Sequence, residues 1–345
     1  MRISRSVISL LMFGFCMLAG PAGASSVTPL EYERPPEQTY LTFPEWFLVH
    51  SPAEYARFIK QDAPSDFPFW GHIGQFWDSY EMVYDATKDD YPLNVGYHVM
   101  VTVIGVSTTI EYAAKSTYEI VIGRVTELTR TNGMTDEDKF AAYVAQDYVD
   151  FLHGAPWYEY EFAGQLVSLW TDTSLLGPDM LRKWERKYAL TTEYSVKAIY
   201  GWLIGFATAA GFDAPSMETI VVLNADPSHL MPTLEKLKLL KRYENGEVLA
   251  SVPRYTEFSR YATALSKEGF VFSEIAGNTT GIVVSLITPL NKGEFKTDHT
   301  ILMTQPILTV DNEERVILET SVKSLSALLL EISSAGFELE HIYDF

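Results

Sequence analysis

Gly269-Phe270-Val271-Phe272-Ser273-Glu274-Ile275 decides the fold class, because it occurs twice. It returns as Gly336-Phe337-Glu338-Leu339-Glu340-His341-Ile342, with Gly, Phe and Ile in place and Leu339 standing for Phe272. The preceding segments keep the same register: Phe258 aligns with Leu325, Ser259 with Ser326 and Leu265 with Ile332. An apolar helical stripe, a glycine and a β-prone run read as helix, stop and strand. Two such strand–helix–strand units in one sheet make a ferredoxin-like arrangement with right-handed crossovers.

Outward from the repeat, residues 217–345 read as alternating strands and helices. Thr219–Leu223 and Val248–Val252 are strands, and Met231–Lys241 is a short helix. Tyr255–Lys267 is a helix that leads to strand Phe270–Ile275. Asn278 to Gly281 then supplies a hairpin turn into Gly281–Ile287. Ile301–Val310, interrupted by Pro306, suggests an edge strand. Val316–Thr320, helix 323–334 and strand Phe337–Tyr343 complete this half.

Upstream the composition changes. All seven tryptophans lie between Trp46 and Trp202. The breaker cluster Gly211-Phe212-Asp213-Ala214-Pro215-Ser216 separates this helical, aromatic region from the α/β half. The expected organisation is α+β: a signal peptide at 1–24, an aromatic-rich helical domain at 25–212 and a ferredoxin-like domain, a duplicated βαβ, at 217–345.

Within the helical region, Ser51, Pro52 and Glu54 form a capping-box pattern that predicts a helix over 52–61. Ile73, Phe76, Trp77, Tyr80 and Tyr84 recur at helical spacing on a second helix, about Phe69 to Ala86, with His72 at the border of the stripe. Leu93 to Leu128 is expected to form one long buried helix. One face carries His98, Thr102, Gly105, Thr109, Tyr112, Ser116, Glu119 and Gly123, suited to close approach by another helix. Val99, Val103, Val106 and Ile110 lie opposite and are also expected to be buried. Thr135 caps a helix over Asp136–His153, where Asp147, Asp150 and His153 recur every third residue. No second Asp/Glu-x-x-His pair completes a di-metal bundle site, so no metal is assigned. Arg182, Lys183, Arg186 and Lys187 form one basic cluster in an acidic chain.

The amino terminus bears on location. Arg2 and Arg5, the apolar run Val7–Gly20 and Ala22-Gly23-Ala24 read as an export signal cleaved before Ser25. The expected location is the periplasm or cell envelope. The single cysteine, Cys16, lies inside that signal, and Phe15 before it does not fit a lipoprotein signal. Leu93–Ile110 and Ala198–Phe212 are apolar enough to raise membrane association, although the second is shorter than the ~20 residues that a bilayer core requires.

The net charge of −19 disfavours nucleic acid as a partner. No phosphate-binding loop, dinucleotide turn, H-E-x-x-H or G-x-S-x-G elbow occurs, and no cofactor is implied. Candidate ligand contacts are Trp70, His72, Trp77, His98 and Glu119, with no catalytic residue assigned. His98 and Glu119 do not form an acid–base pair on a straight helix, because 21 residues at 1.5 Å separate them by roughly 30 Å. The leading expectation is a non-enzymatic envelope protein that binds a small ligand or an envelope protein. The alternatives are an exported hydrolase of glycans or peptides working through carboxylates, and a membrane-inserted helical hairpin carrying a periplasmic α/β domain.

Overall fold

The computed structural model describes residues 27–209, 217–224, 234–290 and 295–343. The expected signal at 1–24 and the breaker cluster 211–216 lie outside the described residues. Ten α-helices are described: α1 (Gln38–Leu41), α2 (Phe47–Phe58), α3 (Phe69–Thr87), α4 (Val95–Tyr118), α5 (Arg124–Glu127), α6 (Asp136–Leu152), α7 (Phe162–Asp172), α8 (Met180–Ala209), α9 (Thr256–Lys267) and α10 (Leu325–Ala335). Eight strands accompany them: β1 (Glu218–Asn224), β2 (Lys238–Arg242), β3 (Glu247–Pro253), β4 (Val271–Ile275), β5 (Gly281–Pro289), β6 (Thr300–Pro306), β7 (Glu313–Ser321) and β8 (Glu338–Ile342). The fold is mixed, a helical N-terminal region with two antiparallel four-stranded sheets.

Two compact units emerge. The first draws on Met1–Glu45, Trp77–Val101 and Pro215–Phe345, and the second on Trp46–Phe76 and Thr102–Ala214. They are not the linear halves, because α3 and α4 each contribute to both.

In the first unit, the element order β-β-β-α-β runs twice. The sheets are ordered β2-β3-β1-β4 and β6-β7-β5-β8, the same order in each. The expectation of two βαβ units in a single ferredoxin-like sheet is corrected here, since each copy has its own sheet. Within each copy the strands flanking the helix are separated by a central strand, antiparallel to both. The expected 278–281 hairpin is also corrected: β4 and β5 belong to different sheets, and the isolated bridge from Ile275 reaches only Asn278, in the link before β5. The buried Asn278 side chain binds Gly281 O and Thr280 instead, closing a link between copies.

Gly269 and Gly336 end α9 and α10 at φ +83° and +71°, the left-handed region that disfavours any side chain. One apolar core joins both copies, with Phe258, Phe272, Leu286, Leu318 and Leu328 fully buried. The aligned serines reach across it. Ser259 Oγ accepts from Ile342 N at 3.0 Å, and Ser326 Oγ donates to Phe270 O at 2.9 Å. The N-terminal segment of this unit also docks there. Buried Thr39 donates to Tyr343 O at 2.8 Å and accepts from Val283 N at 2.9 Å. Residues 238–241, expected at the end of a helix, belong to exposed edge strand β2 (Lys238–Arg242); residues 231–233 lie outside the described residues.

In the second unit, α2 begins at Phe47, so Ser51 and Pro52 lie inside it and Ser51 does not cap. Thr135 caps α6 as expected, in a capping box completed by Asp138. The helical path from Val95 runs on through a widened π-turn, Glu119–Gly123, into α5. Ser116, Glu119 and Gly123 on its small-and-polar face are buried as expected, whereas Thr102 on the same face is exposed. The opposite face is corrected: Val103 is 49% exposed and Ile110 64%.

Candidate functional site

Five candidate residues separate into three environments. Trp70 is exposed on the surface of α3. His72 and Glu119 are buried in the second unit, whereas in the first Trp77 and His98 each meet Tyr80.

His72 is held by α2. Its Nδ1 lies 3.0 Å from Ser51 Oγ, and its Nε2 lies 3.6 Å from Glu54 Oε2. Ser51 and Glu54 are three apart, so one face of α2 grips both edges of the imidazole. Phe67 stacks on the ring at 4.6 Å, and Ser51 Oγ also lies 2.6 Å from Tyr112 Oη. Serine, histidine and carboxylate in series resemble a hydrolase triad. All three are buried, however, and Ser51 is shared with Tyr112. The residues expected to cap a helix therefore dock α2 on α3.

Glu119 belongs to an ionic core. Arg186 grips it with both terminal nitrogens, at 2.9 Å to each carboxylate oxygen. Arg182 binds Asp138 at 2.9 Å and Glu185 at 3.2 Å, while Lys183 and Lys187 meet the fully buried Glu137 at 3.1 and 3.2 Å. The Arg182 guanidinium also donates to Gly123 O at 3.1 Å, in the π-turn. The basic cluster is thus buried rather than an exposed anion site, with four cations facing four carboxylates, Glu119, Glu137, Asp138 and Glu185. Burial pushes Asp138 and Glu185 upward, but their arginine partners outweigh it and hold both carboxyls below their ordinary range. Farther along α8, Glu193 joins Lys115 and Lys197 at 2.9 Å each.

Asp147 accepts from Tyr160 Oη at 2.6 Å and from Gln165 at 3.2 Å, and Asp150 accepts from Gln146 at 2.9 Å. Among the described residues no cluster of three or more His, Cys, Asp or Glu is arranged to hold a metal ion. Likewise, no described helix is long and apolar enough to cross a membrane.

The accessible site lies in the first unit. Tyr80 Oη sits 3.0 Å from His98 Nδ1, and Trp77 meets the Tyr80 ring edge-on at 6.2 Å. His98 lines a cleft of about 200 Å³ with Tyr84, Tyr91, Leu93, Asn94 and Lys88 among its walls. Burial lowers the His98 pKa, so the ring is neutral at pH 7 and offers one donor and one acceptor. Asn94 Oδ1 accepts from Tyr97 N at 3.0 Å, which fixes the start of α4 beside the cleft. The sequence reading missed Tyr91, Asn94 and Lys88. An asparagine just before an apolar helical run was a legible start signal for Asn94, whereas nothing local marked the other two.

Comparison of the chain with protein-family profiles, curated proteins and solved structures finds no match.

Proposed function

We propose that this chain is a non-enzymatic binding protein of the bacterial envelope that takes a small ligand in the His98 cleft. The observation that carries the reading is the cleft itself, where aromatic and apolar walls surround a few polar groups. The neutral imidazole and the Asn94 amide favour a compact molecule with an apolar body and a hydrogen-bonding end, beside Glu37 and a Lys88 that is paired with Asp85 at 2.6 Å. The envelope location rests on residues 1–24. The two sheets are read as a tandem duplication of one β-β-β-α-β unit, each with the split βαβ crossover of ferredoxin-like folds, serving as a rigid platform.

The hydrolase alternative calls for a carboxylate and a histidine converging where substrate reaches them. His72 and Glu54 converge, but both are buried. A fragment screen by ligand-observed NMR on the whole chain separates the readings. Fragments that bind the native protein and lose at least tenfold affinity on His98→Ala support cleft binding. Fragments that bind both proteins equally, or turnover of glycan or peptide substrates by the native protein, contradict it.

A further inference from the structure

The second unit has inverted polarity. Among the described residues its interior holds four buried cations and five buried carboxylates, Glu54 beside His72 and the other four with the cations. Burial of ions in a water-soluble bundle gains little over apolar packing of the same volume. Meanwhile the outward faces of the α4–α5 path and of α8 are largely apolar, whereas α6, which carries Glu137 and Asp138, exposes Asp136, Lys139 and Asp150. On the α4–α5 path, Val103, Val106, Ile110, Val121 and Val125 follow one line at helical spacing, and all are exposed. On α8, Leu181, Trp184, Ile199, Trp202 and Phe206 do the same, with Trp202 69% and Phe206 71% exposed. At 1.5 Å per residue these stripes run roughly 33–37 Å. Lys115, Glu119, Arg182, Arg186 and Glu193 on the same turns turn inward and are paired, whereas Glu111 and Arg124 stay about half exposed in pairs with Lys197 and Asp66.

Three hydroxyls fall in the stripes, those of Thr117, Tyr188 and Thr192, and the two threonines bond within their own helices. Thr117 donates to Ala113 O at 2.7 Å and Thr192 to Tyr188 O at 2.9 Å, each four residues back on its own helix. A helix satisfies a hydroxyl in this way where the surroundings offer no partner.

We infer that the apolar stripes of α4–α5 and α8 seat this unit in the acyl-chain layer of a lipid surface, with the helices in the plane of the interface. The inward ions meet the requirement that charge in a low-dielectric medium be paired and shielded. Tryptophans at 184 and 202 suit the boundary between headgroup and acyl chain. No described helix crosses a bilayer alone, and an in-plane apolar face has no such length requirement. Net charge selects the lipid: a chain at −19 is repelled by anionic headgroups, so the surface it meets is zwitterionic. This inference is independent of the cleft and stands if no cleft ligand exists.

Vesicle flotation with the purified full chain tests it. The native protein is expected to float with phosphatidylcholine vesicles, and several-fold less with vesicles rich in phosphatidylglycerol. Ile110→Asp and, separately, Trp202→Asp are expected to reduce flotation at least tenfold. Both positions are exposed, so each variant should keep the native circular dichroism; if one unfolds, the other carries the test. The inference is overturned if native protein stays at the bottom of the gradient. Flotation of both aspartate variants to the same extent as native protein overturns it as well, and equal flotation of native protein with anionic vesicles overturns the choice of zwitterionic lipid. A vesicle-free native dimer that either variant converts to monomer would assign the stripes to a second copy instead.

Discussion

Arg186 holds Glu119 through two parallel hydrogen bonds of 2.9 Å, with both side chains buried, across α8 and the π-turn. Removing one partner of such a pair leaves an uncompensated buried charge. Arg186→Met is expected to cost about 3–5 kcal/mol in urea unfolding. Adding Glu119→Leu should recover part of that loss, because the double variant buries no orphaned carboxylate at this position. By contrast, Glu111→Gln removes a half-exposed carboxylate that pairs with Lys197, and should cost no more than about 1 kcal/mol.

Gly123 makes room for that pair. A Cβ at this position would collide with the Glu119 carboxylate and sit 3.3 Å from Arg186 Nη2. Gly123→Ala is therefore expected to destabilise by about 1–3 kcal/mol through overpacking. Urea unfolding should show the loss, and Gly154→Ala, where a Cβ meets nothing within 4 Å, serves as the control.

Thr39 bridges two backbone groups of the first unit, Val283 N and Tyr343 O. Thr39→Val keeps the shape and removes both bonds. Leaving Val283 N buried without its partner is expected to cost about 1–3 kcal/mol. Faster amide exchange at Val283 would report the loss at the site itself.

Two carboxyls pull stability in opposite directions with pH. Burial raises Glu45 from 4.5 to about 7, with Arg254 opposing. Between about pH 4.5 and 7 the native state binds more protons at Glu45 than the unfolded chain, so this group makes stability fall as pH rises. Glu45→Gln is expected to stabilise at pH 8 and to leave stability unchanged at pH 4. Glu193 behaves the other way. Burial raises its pKa, but Lys115 and Lys197 outweigh burial and hold it far below 4.5. Its contribution is complete above about pH 4.5 and is lost as pH falls toward the folded value. Chemical unfolding of native protein, Glu45→Gln and Glu193→Gln at pH 4 and pH 8 checks both signs.

Much of the fold was legible because it rests on local pattern. The repeat at Gly269 and Gly336 located both helix stops, and the alignment of Ser259 with Ser326 located two equivalent serines that cross between copies. The pairing of strands was not legible. Asn278 before Gly281 reads as a hairpin locally, and only tertiary packing sends β4 and β5 to separate sheets. Ser51-Pro52-x-Glu54 likewise fits a helix start, yet His72, far along the chain, claims both side chains. Of the face from His98 to Gly123, Gly105, Ser116, Glu119 and Gly123 are buried as read, whereas Thr102 is exposed and Thr109 and Tyr112 are half-buried. Val103 opposite it was misread, because apolarity alone does not say whether a face meets protein or another apolar medium. Of the candidate residues, Trp77 was read from the aromatic stripe and His98 and Glu119 from one helix face; helix length already set those two roughly 30 Å apart, and only the position of Arg186 shows Glu119 to be part of an ionic core.

Thermal melting of Glu119→Gln against His98→Ala tests most directly whether the ionic core is structural and the cleft functional. The account predicts that Glu119→Gln lowers Tm by about 6–20 °C, the equivalent of a broken buried pair in a domain of this size. His98→Ala, which loses one half-buried bond to Tyr80, should lower Tm by no more than about 2–4 °C. A His98 variant that melts as early as the Glu119 variant, or a Glu119 variant that melts like the native protein, would contradict that division of roles.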